Sequence, residues 1–139
     1  MILVDTNVIS EPLRKTPESR VVAWINAQPL ETLYLSAVTV AELRFGVASL
    51  PPGRRRDGLH ESLETRVLPL FAGRVLSFDL AASQAYAELM ASARDAGAVP
   101  STADGLIAAT AMANGMMVAT RDIAPFEAAG VTVIDPWNG

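Results

Sequence analysis

The sequence predicts an α/β fold: a mainly parallel central sheet with helices on both faces. Two patterns lead there. Short apolar runs such as Ile2-Leu3-Val4, which ends at Asp5, alternate with longer segments of helical period, the order expected of successive βαβ units. The runs are apolar throughout rather than alternating, as strands buried on both faces are. A chain of 139 residues, half of them hydrophobic and with no internal repeat or low-complexity linker, fits one domain spanning 1–139 with a single substantial core.

Taken in order, a strand at 2–5 leads into a helix over about 7–13. Thr16-Pro17 opens a second helix, with a capping hydroxyl and proline in the first turn, carrying Val21, Val22, Trp24 and Ile25 inward and stopping before Pro29. Leu33-Tyr34-Leu35 is the second strand, and Ser36 caps a helix that closes near Pro51-Pro52. Residues 57–72 read as helical. A strand follows over 74–78, then Asp79 caps a long helix reaching Arg94. After a turn at 97–100, Ser101 or Thr102 caps a small-residue helix through Ala113. Strands at 116–119 and 131–134 complete the pattern, separated by a short helix near 125–129.

Composition narrows the function. The absence of cysteine removes disulfides, thiolate metal sites and cysteine nucleophiles, and fits a reducing cytosol. No signal peptide and no apolar run of membrane-spanning length is visible, so the expectation is a cytoplasmic protein without a membrane partner. A positive mean hydropathy leaves room for an apolar subunit or partner surface. The net charge of −4 argues against a broad basic nucleic-acid surface. Ten of the eleven basic residues are arginine, with a cluster at Arg54-Arg55-Arg56 that reads either as phosphate contacts or as a solvated loop.

Four carboxylates fall where such a fold could gather them: Asp5 and Asp122 just beyond strands, Asp104 at a helix start, and Glu42 within a helix. In parallel sheets ligands bind beyond the carboxyl ends of strands, where the topology switches direction. Clustered carboxylates repel by about 4 kcal/mol per pair at 4 Å in an effective dielectric near 20, so a shared site needs a divalent cation or a retained proton. Each residue also has an ordinary reading, and both stay open at this level. Asp5 can cap a helix, Asp104 can compensate a helix dipole, Asp122 can serve a turn, and Glu42 can face solvent. On the metal reading Thr6 and Asn7 position Asp5 or water, Val38 and Phe45 place Glu42 at the border of a buried face, and Gly105 and Ala108 let a substrate backbone approach. His60 has no catalytic partner and reads as surface or interface. Trp24, Trp137 and the methionines read as packing.

The segments MILVDTNVISEPLR at 1–14, LSAVTVAELRFGV at 35–47, ADGLIAATA at 103–111, VATRD at 118–122 and VIDPW at 133–137 carry a resemblance to the PIN-domain ribonucleases. Within them the chain resembles the VapC-type toxins of type II toxin–antitoxin pairs, FitB-like subgroup. The resemblance implies a PIN-like three-layer sandwich and an endoribonuclease dependent on Mg²⁺ or Mn²⁺. It implies Asp5 and Asp104 as main metal ligands, Glu42 and Asp122 completing the catalytic quartet by binding a second metal or orienting the attacking water, Thr120 supporting by hydrogen bonding, and Asn7 as an ancillary polar group. It further implies an RNA substrate, a cognate antitoxin whose C-terminal segment crosses the groove, operator DNA bound only through the antitoxin complex, and a homodimer. One departure concerns the last acid. Many VapC-type chains read Thr-Arg-Asn with an acid three residues later, whereas here Asp122 is that first residue and Pro125 precedes Phe126.

Hard oxygen donors favour Mg²⁺ or Mn²⁺, and metal-activated water spares the chain a nucleophile of its own. A haloacid-dehalogenase-type phosphotransferase needs a second Asp where Asn7 stands and a downstream lysine. Lys15 is the only lysine, which also excludes a response-regulator receiver, and no Gly-rich loop leads to a lysine as a P-loop requires. The competing non-enzyme reading is a catalytically silent PIN-like module acting through its antitoxin and DNA complex.

Overall fold

In the computed structural model, which describes residues 1–138, five parallel strands form one sheet in the order β3-β2-β1-β4-β5. Gly139, the last residue of the expected domain, lies outside the described residues. The strands are β1 (Ile2–Val4), β2 (Leu33–Ser36), β3 (Val75–Leu76), β4 (Met117–Ala119) and β5 (Val133–Ile134). Between them run α1 (Thr6–Ile9), α2 (Ser19–Ala27), α3 (Ala37–Ala48), α4 (Arg54–Ser62), α5 (Leu80–Ala96), α6 (Thr102–Ala113) and α7 (Ile123–Ala128).

Alternation along each strand sorts the core into two layers. Ile2, Val4, Leu33, Leu35 and Ala119 face one side, packed under Val8, Ile9, Val21, Leu43, Val47, Leu63 and Phe71. Leu3 and Val118 face the other, packed under Leu89, Ile107, Ala108, Phe126 and Val131. The sheet is thus sandwiched, with α1–α4 on one face and α5–α7 on the other. Among the described residues, no helix is long and apolar enough to cross a membrane.

The capping residues act as their chemistry requires. The Ser36 hydroxyl accepts from the Val38 amide at 2.9 Å, Asp79 from Ala82 at 2.9 Å, and Ser101 from Asp104 at 3.2 Å. Gly97 ends α5 at φ 73°, a left-handed conformation that a side chain disfavours.

Several boundaries differ from those expected. The helix over 7–13 breaks at Ser10 into α1 and a 3-10 turn over Glu11–Leu13, because Pro12 has no amide to continue it. Thr16 does not cap α2; Glu18 does, through the Arg20 amide. The 57–72 segment starts earlier, at Arg54, so the arginine cluster forms the first turn of α4 rather than a loop. It then loosens into a π-turn over Leu63–Val67 and a 3-10 turn over Leu68–Phe71, where Pro69 interrupts the α ladder. The expected 74–78 strand pairs only at Val75 and Leu76. Gly105 does not open toward a substrate: a Cβ there would lie 3.0 Å from Met90 Sδ and 3.2 Å from Tyr86 Cε2, so the glycine lets α6 close against α5. Ala108 is likewise sealed in the core.

The break after α1 is fastened by a buried carboxylate. Glu11 accepts from the Glu18 amide at 2.9 Å and pairs with Arg14 at 3.2 Å. The Glu18 N–H, followed by Arg14, holds its pKa below the usual 4.5 against the opposing effect of burial. Glu11→Ala is expected to lower stability by about 1–3 kcal/mol, the cost of leaving a buried donor unpaired. A shift of the urea midpoint at pH 7 measures it. Because the native pKa is the lower one, this contribution is present above 4.5 and fades as pH falls through the native value, so wild type and variant converge in acid.

Candidate metal centre

The strand order places a switch point between β1 and β4, since the chain leaves β1 toward β2 on one side and β4 toward β5 on the other. Asp5 follows β1 directly, and its amide donates to Ala119 O at 2.9 Å, extending the ladder one residue beyond the strand. Opposite it, past the end of β4, Thr120 donates its hydroxyl to Asp5 Oδ2 at 2.7 Å. The Thr6 amide donates to Asp5 Oδ1 at 2.8 Å. Each Asp5 oxygen therefore has one fixed donor and retains lone-pair capacity for a further partner. The helix-capping and site readings of Asp5 coexist, because the cap bond aims the carboxylate into the cleft.

Asp122 comes from the turn after β4. Its carboxylate accepts from Asn7 Nδ2 at 3.1 Å and its amide donates to Thr120 Oγ1 at 3.0 Å, while Asn7 Oδ1 accepts from the Arg121 amide at 3.3 Å. Asn7 and Thr120 thus bind the β1 and β4 termini to each other. Asp122 stands at the start of α7 but makes no side-chain capping bond there. The Arg121 guanidinium turns aside and stacks over Trp137, 5.0 Å from the ring centre.

Asp104 enters from the first turn of α6. Asp5, Asp104 and Asp122 each offer a carboxylate oxygen, and the three oxygens all lie within 4.8 Å of one another. In an octahedral Mg²⁺ shell with bonds of about 2.1 Å, opposite oxygens are roughly 4.2 Å apart, so small side-chain rotations would bring these three into one shell. The donors are hard anionic oxygens, so the set suits a hard divalent cation by chemistry, with that small rearrangement in spacing.

Glu42 lines the same cleft, of about 240 Å³, with Asp5, Thr6, Asn7, Ser10, Asp104 and Asp122. It stands outside the three-oxygen group, and its Oε1 accepts from Thr6 Oγ1 at 2.6 Å. The expected flanking by Phe45 does not occur: Phe45 is 74% exposed. The buried neighbour of Glu42 on α3 is Thr39, one turn earlier. Sequence reasoning missed Thr39 and Ser10 as parts of this region, although the spacings Thr39–Glu42 and Thr6–Ser10 mark shared helix faces.

Burial pushes the Asp5 carboxyl from an ordinary 3.8 up to about 6, with the charges of Asp104 and Glu42 adding to the effect and the bonds from Thr120 and Thr6 opposing it. Asp104 is also raised, first by desolvation and then by Asp122 and Glu42, against the Ser101 hydrogen bond. A cluster that resists ionisation when alone is a cluster suited to a cation.

An acidic cleft at the switch point of a parallel sheet marks an α/β domain with a cation-binding type of site, and the sequence matches the PIN domain family over residues 2–131. The chain belongs to the PIN-domain family. Over 138 residues it is 62% identical to the plasmid stability protein StbB of Pseudomonas syringae pv. tomato, 61% to VapC ribonuclease Y4jK of Sinorhizobium fredii and 54% to toxin FitB of Neisseria gonorrhoeae. Each alignment covers 99% of this chain and 99% of the relative. The fold superposes on the crystal structure of FitAcB from Neisseria gonorrhoeae with a TM-score of 0.97, 54% identity and full coverage of both chains. For the structure of FitAB bound to the IR36 DNA fragment the TM-score is 0.95 at 54% identity, covering 99% of this chain and 96% of that one.

Proposed function

We propose that this chain, acting as one PIN unit over residues 1–139, is a divalent-metal-dependent endoribonuclease and the toxin of a type II toxin–antitoxin pair. The observation that carries the reading is the convergence of Asp5, Asp104 and Asp122 oxygens within 4.8 Å in an open cleft. Likeness to a protein named VapC ribonuclease and to one named toxin FitB supports the activity and the toxin role. Likeness to FitAB on a DNA fragment supports an antitoxin partner through which operator DNA is bound. The protein is read as cytoplasmic and homodimeric.

Asp5 and Asp104 would be the main ligands, with Asp122 and Glu42 completing the acidic set. When bound, Mg²⁺ or Mn²⁺ supplies an acidified water and charge stabilisation at the phosphate. The carboxylates would hold the cation, and its charge would offset theirs so that an anionic RNA backbone can approach. Asn7 and Thr120 hold the Asp5 and Asp122 side chains in place, the outer-shell support on which metal affinity depends.

The test uses the purified chain free of antitoxin. Added Mn²⁺ is expected to raise its melting temperature and to switch on cleavage of single-stranded RNA, with EDTA reversing both. A silent binding module would show neither response, and that result would overturn the proposal.

A further inference from the structure

We infer that Thr39 and Thr6 form a hydroxyl relay that positions Glu42, a role resting on the metal-site reading above. Thr6 Oγ1 is 2.6 Å from Glu42 Oε1 and 3.2 Å from Thr39 Oγ1. A hydroxyl has one proton to donate, and the shorter contact to a carboxylate has the length of a charge-assisted O–H···O⁻ bond. The Thr6 proton therefore goes to Glu42. Thr39 is fully sealed from solvent, and among the described residues Thr6 is its one side-chain hydroxyl partner. No other acceptor lies within hydrogen-bond distance of the Thr39 hydroxyl among the described residues, so its proton goes to Thr6 Oγ1. The resulting chain, Thr39 to Thr6 to Glu42, runs in one direction and polarises along its length.

This arrangement does two things for the cleft. It occupies Oε1, while Oε2 has no hydrogen-bond partner among the described residues, so one glutamate oxygen is anchored and the other is left for the cleft. It also makes Thr6 a hinge point between two acids, its amide on Asp5 at 2.8 Å and its hydroxyl on Glu42, tying the start of α1 to the middle of α3. Thr6 and Thr39 touch no reacting atom in this scheme; they are positioning residues, acting through Glu42.

Thr6→Val keeps the side-chain shape and the amide bond to Asp5 but removes the hydroxyl. It is expected to weaken Mn²⁺ binding by about 10- to 100-fold, the usual cost of losing outer-shell support. The binding is read from free Mn²⁺ by electron paramagnetic resonance, with circular dichroism confirming the fold. kcat for RNA should fall while KM stays near wild type. Thr6→Ser, which restores the hydroxyl, should recover Mn²⁺ affinity to near wild type, and Thr39→Val should weaken it in the same direction by less. In a Glu42→Gln background, Thr6→Val should add little, because both changes break one unit. Wild-type Mn²⁺ affinity in Thr6→Val, failure of serine to rescue, or full additivity with Glu42→Gln would overturn the relay. If wild type binds Mn²⁺ but leaves RNA intact, the ribonuclease reading fails and the affinity series still decides the relay. If wild type binds no Mn²⁺, both fail.

Discussion

Asp104→Asn is expected to reduce metal-dependent RNA cleavage by at least about two orders of magnitude, beyond the loss that an outer-shell change brings. Asp5→Asn should do the same. An amide is nearly isosteric with a carboxylate but carries no charge, so the variant loses the Coulombic hold on a divalent cation while the cleft keeps its shape. Neither change should unfold the protein. Asp104 is only partly buried, in the first turn of α6, and its main-chain capping bond comes from Ser101 rather than from its own carboxylate. The measurement is an RNA cleavage time course at saturating Mn²⁺ with each variant purified from a nuclease-deficient host. Unchanged cleavage by folded Asp104→Asn would remove this carboxylate from the mechanism.

In the metal-free protein the second expected result has the opposite sign: Asp5→Asn should be more stable than wild type at pH 7.5. Asp5 is 3% exposed and its pKa is pushed from 3.8 up to about 6. A raised native pKa means the folded state holds the proton more tightly than the unfolded chain. Stability from this group is therefore fully present below 3.8 and is lost as pH rises through about 6. Above that pH the ionised carboxylate costs on the order of 3 kcal/mol, at 1.36 kcal/mol per pKa unit. Asparagine, always neutral, avoids the cost but keeps only one of the two acceptor oxygens, its NH2 replacing the one that Thr120 bonds. The expected rise in Tm is therefore at most roughly 10 °C for a chain of this size. The gap should close below pH 4. Saturating Mn²⁺ should stabilise wild type and narrow the difference, and its affinity should fall as pH drops through about 6, where the proton competes for Asp5. Melting curves in EDTA and in Mn²⁺ across pH 4–8 check all three. Equal Tm values for wild type and variant in EDTA at pH 7.5 would show that Asp5 is not under electrostatic strain.

Both expectations express the same design. Asp5 is held by Thr6 and Thr120 in a place where its charge is unfavourable by itself, so fold stability is exchanged for a pre-organised anionic cleft. The closing of α6 against α5 at Gly105 belongs to the same design, since it sets where Asp104 enters.

Much of this was readable from the chain alone. The apolar run ending at Asp5, the capping residues Ser36, Asp79 and Ser101, and the strand–helix alternation are local signals: each is decided by backbone geometry and burial within a few residues. Such signals named the layers, the parallel sheet and the four acids worth grouping. Local signals failed where a helix ends by tertiary competition rather than by sequence. Within 57–72 Pro69 signals an interruption but not its form as a π-turn over Leu63–Val67, and nothing between Arg54 and Arg56 says whether the arginines start a helix or extend a loop.

The strand order β3-β2-β1-β4-β5 is what only the folded molecule decided, because its central pairing, β1 with β4, joins segments more than a hundred residues apart. That order brings Thr120 to Asp5 and Asn7 to Asp122. It also separates the acids into a close group of three and a fourth, Glu42, held back by Thr6. Residue types determine which groups are able to bind a cation. Distances of a few ångströms determine whether they do so together, and those come from the packing of α1, α3 and α6 around the sheet's switch point.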